Sequence, residues 1–163
     1  MGNVKFGGVY KITHLNSKGE VISFDEVHNL VPNEGLTYFN GVIFGGAAAS
    51  SHFVGLYANN YAVIPTDTMA TFLASASEVT AYDESARQLY NATVDGNEVQ
   101  NSASKAVFTI NADVTARGAF ISTSSVKGGT VGTLVTAALF TSPKVLTAGD
   151  TLTIEYLFVG SSS

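Results

Sequence analysis

The residues best suited to proton transfer or metal ligation are the three histidines, His14, His28 and His52. His14 and His28 fall in segments that read as the two arms of one hairpin, so they could face each other with Asp25 or Glu26 as an oxygen ligand. The spacing is not that of His-Glu-x-x-His, where one helix face presents both imidazoles, and ordinary structural histidines are the expectation. The neighbouring acids Asp25-Glu26 and Asp83-Glu84 point to opposite faces of an extended chain and cannot converge on one bond. No Gly-x-Ser-x-Gly elbow is present, and the chain has no cysteine, which removes thiolate nucleophiles and disulfides together. Lys127-Gly128-Gly129-Thr130 lacks the earlier glycine and the following helix of a phosphate loop. Asp95-Gly96-Asn97-Glu98 is too short for a calcium loop and reads as a turn. No catalytic, cofactor-binding or metal-ligating residue is assigned, and the expectation is a protein that is not an enzyme and uses no cofactor.

Binding chemistry has better candidates. Arg87 sits in EVTAYDESARQLY between two tyrosines, and Arg and Tyr are the residue types that anchor protein interfaces. Arg87, Tyr82 and Tyr90 are therefore the candidate interface residues; an internal ion pair of Arg87 with Asp83 or Glu84 is the other reading. Tyr57, Tyr61 and Tyr82 could line a sugar-binding face, but such faces favour Trp, and the chain has none.

These residues must be positioned by strands. Val4–Leu15 and Val21–Val27 alternate apolar and polar residues around Asn16-Ser17-Lys18-Gly19, the pattern of a hairpin with Tyr10, Ile12 and His14 on one face and Val9, Lys11, Thr13 and Leu15 on the other. The stretch from Asn29 to Gly46 spells a helix, near residues 33–44. Pro32 fixes its entry, Asn33 is a suitable N-cap, Glu34 suits the positive end of the macrodipole, and Gly45-Gly46 ends it. Leu36, Phe39 and Ile43 recur at helical spacing and form the candidate buried stripe, and Gly41 inside the helix suggests close approach of another backbone. HFVGLYA, from His52 to Ala58, reads as a central strand. Thr66-Asp67-Thr68 before MATFLA reads as a capped helical turn or short helix, and Glu78 to Arg87 as a loop or exposed strand.

From Gln88 onward the pattern is β, with a hairpin at Asp95-Gly96-Asn97 and strands over Lys105–Ile110, Val114–Ser122, Thr133–Phe140 and Thr151–Val159. Gly160 to Ser163 is expected to fray. About eight strands at roughly 8 to 12 residue spacing predict one mainly β domain over residues 1–163, an antiparallel β-sandwich of jelly-roll-like kind with one inserted α-helix. The strands Val4–Leu15 and Thr151–Val159 are the expected sheet edges.

Only 13% of the residues are charged while 45% are hydrophobic, so the core is ample and the surface is covered by Ser, Thr, Asn, Gly and Ala. Such a surface repels its neighbours weakly, which suits a subunit packed among others. Net charge is −5 without basic clusters, which disfavours nucleic acid. The first residues lack the apolar core of a signal peptide, and no stretch approaches about 18 apolar residues in a row, so neither secretion nor a membrane span is expected.

Four segments in order, HNLVPNEGLTYF, FVGLYANNY, ATFLASASEVTAYDESARQLY and NSASKAVFTINADVTARGAFISTSSVKGGTVGTLVTAALF, resemble a group of small virion structural proteins of tailed bacteriophages, some of them capsid cement or decoration proteins. The resemblance runs from about Val27 to Phe140. It implies a symmetric homo-oligomer, a dimer or trimer, whose partners are copies of itself and the phage major capsid protein. Its place would be the phage head, assembled in the bacterial host cytoplasm, and its action mechanical. A tail, neck or fibre-associated part of the virion is the alternative, and a carbohydrate-binding or hydrolytic sandwich domain is the reading from another class.

Overall fold

The N-terminal hairpin forms as its pattern dictates. In a computed structural model that describes residues 4–162, β1 (Val4–Leu15) and β2 (Val21–His28) pair antiparallel, with Tyr10 on Val27 and Ile12 on Asp25. Asn16 shapes the turn by accepting from the amides of Lys18 and Glu20, and Gly19 takes the positive φ, +80°, that closes it. There follow α1 (Asn33–Ile43), β3 (Phe53–Tyr57), α2 (Met69–Ala76), β4 (Glu78–Val79), β5 (Gln88–Leu89), β6 (Thr93–Asp95), β7 (Glu98–Gln100), β8 (Ala106–Thr109), β9 (Val114–Ser122), β10 (Leu134–Leu146) and β11 (Thr151–Ser162).

The strands make two antiparallel sheets, and the mainly β sandwich expected from the turn spacing is what forms. The six-stranded sheet runs β2-β1-β11-β7-β6 with β8 also on β11; the five-stranded sheet runs β10-β9-β3-β4 with β5 also on β3. Tyr10, Ile12, Phe108, Leu152 and Ile154 of the first sheet meet Val54, Leu56, Ile121 and Ala138 of the second in one core. Strand β3 is interior, as its continuous apolar run predicts, and its far side is covered by α2, where Met69, Phe72 and Leu73 pack on Tyr57, Phe120 and Leu134. Thr68 caps α2 by accepting from the Thr71 amide while the Thr71 hydroxyl accepts from the Thr68 amide.

Several expectations are corrected. The described residues carry two helices where one inserted helix is expected, α2 being the short capped helix that Thr66-Asp67-Thr68 before MATFLA predicts. The strands Val4–Leu15 and Thr151–Val159 are interior: β1 lies between β2 and β11, and β11 between β1 and the β7 and β8 pair. The outer strands of that sheet are β2, β6 and β8. Gly160 to Ser162 does not fray in this structure but extends β11, pairing as far as Val4 with Ser162; Ser163 lies outside the described residues. Strand β10 runs through Pro143, which sits where the register on β9 jumps between Leu139 and Lys144, a bulge in which the missing N–H costs no ladder bond.

Helix α1 departs most from its sequence reading. Leu36 and Ile43 are exposed, Ile43 by 55%, and only Phe39 of the expected stripe packs, half-buried, against Phe6 and Phe158. The cap is Pro32, without a side-chain bond, while the Asn33 amide donates to the Pro65 carbonyl. Gly41 has open room, its nearest neighbour for an added Cβ being the Ala47 Cβ at 3.7 Å. The close backbone approach is at Gly35, where a Cβ would stand 2.3 Å from the Val135 carbonyl oxygen. Glu34 then ties α1 to the body by accepting from the amides of Met69, at 2.9 Å, and Leu134, at 2.7 Å. The helix is thus held by its first turn on β10 rather than by an apolar stripe along its length.

Candidate functional site

The residues singled out for binding are drawn inside the protomer. Arg87 is 2% exposed, and every N–H of its guanidinium is used. Its Nε and one terminal nitrogen grip Glu78 side-on at 2.8 and 2.7 Å; the remaining donors reach the Ser122 hydroxyl and the carbonyls of Ser124 and Gly129. The ring of Phe120 lies 5.1 Å beneath it. Glu78 also accepts from the Gly128 amide, so the Lys127–Thr130 turn is one wall of this knot. The internal ion pair is therefore with Glu78, nine residues back, and not with Asp83 or Glu84; Arg87 is not available to a partner. Glu84 instead accepts from the Thr109 amide and hydroxyl.

Tyr82 is likewise corrected as an interface residue. It is 1% exposed, stands edge-on to Phe108, and carries the Lys127 ammonium 4.0 Å above its ring. Burial, and secondarily the charge of Glu78, push its hydroxyl well above the ordinary phenol range. Tyr90 is half-buried, and its hydroxyl donates to the carbonyls of Val99 and Tyr156. Tyr57 is also fully buried, so Tyr57, Tyr61 and Tyr82 make no sugar-stacking platform.

The histidines do not come together. In the hairpin register His28 stands opposite Val9 and His14 opposite Ser23, five residues apart along β1, or roughly 16 Å at strand rise. His14 is buried and pairs through Nε2 with Asp150 at 2.8 Å. Burial alone would raise the Asp150 carboxyl, but the Thr147 amide and His14 hold it below its ordinary value. Asp25 is buried on the inner side of β2, where the Thr141 hydroxyl and amide, the Glu26 amide and the Lys144 ammonium at 3.7 Å outweigh desolvation and lower its pKa. Among the described residues no three His, Asp or Glu side chains converge as metal ligands, and no helix is long and apolar enough to cross a membrane.

Two groups of large side chains left exposed on the surface are apolar. On the edge strand β2, Val21, Ile22 and Phe24 are 64%, 57% and 59% exposed. The strand's polarity is inverted: Asp25 points into the protein while Phe24 points out. Leu36, Ile43 and Phe44, the last 85% exposed, add a second apolar group at α1. The sequence signal for β2 was legible in the alternation of VISFDEVH, because the face shared by Ile22 and Phe24 is opposite the face of Asp25 and Val27. What no local pattern shows is that β2 ends its sheet. No protein family, curated protein or solved structure matches the chain.

Proposed function

We propose that this protein is a structural subunit of a tailed-bacteriophage virion, a capsid cement or decoration protein that stabilises the head shell by symmetric contacts and performs no reaction. The observation that carries the reading is the exposed apolar edge strand: three large side chains on β2 are left in water by a chain whose charged residues are only 13% of the total. The order of the motifs resembling phage virion proteins supports the same reading. Its partners are copies of itself, as a dimer or trimer, and the phage major capsid protein.

Strand β2 suits contact between copies. An antiparallel second copy centred on Phe24 sets Phe24 against Phe24 and brings Glu20 beside His28, so the exposed apolar area of the strand is buried between the copies. Each Phe24 covered in this way contributes about 1.5–3 kcal/mol if the burial is complete. Binding would add to the shell's cohesion through buried area, with no group transferred.

The test is to image the purified particle and count the protein on it. Hundreds of symmetric copies on the head support cement; a dozen or fewer at the neck or tail support the alternative virion role; absence from the particle overturns both.

A further inference from the structure

A cavity of about 240 Å³ lies between the sheets, with Val99 and Phe158 contributed by one, Ile121 and Val135 by the other, and Phe39 of α1 at its side. Its wall holds a single polar mismatch. His52 lines the cavity, and its Nε2 is buried with no hydrogen-bond partner among the described residues. The other polar group nearby is satisfied: the Tyr90 hydroxyl is committed to two backbone carbonyls. Burial lowers the His52 pKa, so at neutral pH the ring is uncharged and asks for one neutral partner. An unmade bond to a buried ring nitrogen is costly, and proteins leave few such groups unpaired. Part of the wall is aromatic. Phe39 and Phe158 stand 5.4 Å apart by centroid, and the Tyr38 ring meets His52 edge-on at 5.5 Å. A dry cavity of about 150 Å³ already holds benzene, so this one has room for a substituted ring.

We propose that this cavity is a binding site for a small phenol-type ligand, its ring packed against the touching pair Phe39 and Phe158 and its hydroxyl on His52 Nε2. A hydroxyl both donates and accepts, so it satisfies Nε2 whichever nitrogen carries the ring proton. Purely hydrocarbon occupants leave the nitrogen unpaired. The site is separate from the β2 edge and does not depend on the virion reading.

The experiment compares p-cresol with p-xylene, which has the same shape without the hydroxyl, by calorimetric titration of the full chain. In parallel, the His52 ring nitrogens are followed by NMR. Binding of p-cresol about tenfold tighter than p-xylene, with a shift of the Nε2 resonance, is expected. In His52→Phe the two ligands bind alike, and in Val99→Phe, which fills the cavity, neither binds. Should either variant fail to fold, the wild-type Nε2 shift and the cresol-to-xylene ratio decide alone. Equal affinities, no binding of p-cresol, or binding that leaves the Nε2 resonance unmoved overturns the proposal.

Discussion

Arg87 and Phe24 are each on the side of the surface where their chemistry is least expected. Arg87 is buried at the end of the five-stranded sheet, and Phe24 is exposed at the edge of the six-stranded one. The two regions differ in whether the chain supplies the missing partner. Around Arg87 it does so completely: Glu78, Ser122, Ser124 and Gly129 meet every guanidinium donor, which makes a buried charge tolerable and fixes the Lys127–Thr130 turn. Around Phe24 it supplies nothing. Asp25, the neighbour on the inner face, is bonded to Thr141 and paired with Lys144, so β2 is firmly placed while its outer face is bare. The closed region maintains the fold, and the open one is the surface we propose a second copy covers.

That contrast breaks most readily at Arg87. Replacing it with Ala strands the Glu78 carboxylate in a dry site and costs about 3–5 kcal/mol, read as the shift in a urea midpoint. Arg87→Lys recovers only part, since an ammonium cannot grip a carboxylate side-on while reaching three further acceptors. Gly35→Ala comes next: with 2.3 Å between the new Cβ and the Val135 carbonyl, α1 must lift from β10 at a cost of about 1–3 kcal/mol, visible as early hydrogen exchange in Asn33–Ile43.

Acid acts more gently, through two carboxylates at the six-stranded sheet. Asp25 and Asp150 have folded-state pKa values below their ordinary 3.8, so the stability they add is present above that value and is lost as pH falls through the folded ones. Denaturant midpoints therefore hold from pH 7 to about pH 4.5 and drop below pH 4. In Asp25→Asn the protein is less stable at neutral pH, and the drop is shallower. The smallest effect on folding is at the open edge, where Phe24→Lys changes stability by no more than about 0.5 kcal/mol. A large loss there would mean that Phe24 serves the protomer's own core.

The sequence foretells those parts of the molecule whose causes are local. The hairpin at Asn16–Gly19 is written in its turn residues. So is the tight turn between β6 and β7, where Gly96 alone takes positive φ, +62°, between Asp95 and Glu98. The α2 cap and the burial of Tyr10, Ile12, Leu152 and Ile154 follow in the same way from spacing and alternation. Sheet order is not local, and the misplaced edges show it: β1 and β11 read as ends of the chain but pair with each other at the centre of a sheet. Helix α1 has an apolar spacing that fits burial, yet what it packs against is decided by Glu34 and Gly35 meeting Leu134 and Val135 of β10, 100 positions away in sequence. Arg87 could be seen to need an acid; that the acid is Glu78 depends on how β4 lies beside β3. His52 showed as a lone histidine, and only the assembled cavity makes its nitrogen conspicuous.

Strand β2 as the contact between copies is open to sedimentation velocity of the pure protein at tens of micromolar, run beside Phe24→Lys. A wild-type species at two or three times 17.0 kDa and a folded Phe24→Lys protein at 17.0 kDa are expected. A wild-type protein that stays at 17.0 kDa, or a Phe24→Lys variant that assembles as the wild type does, contradicts that contact.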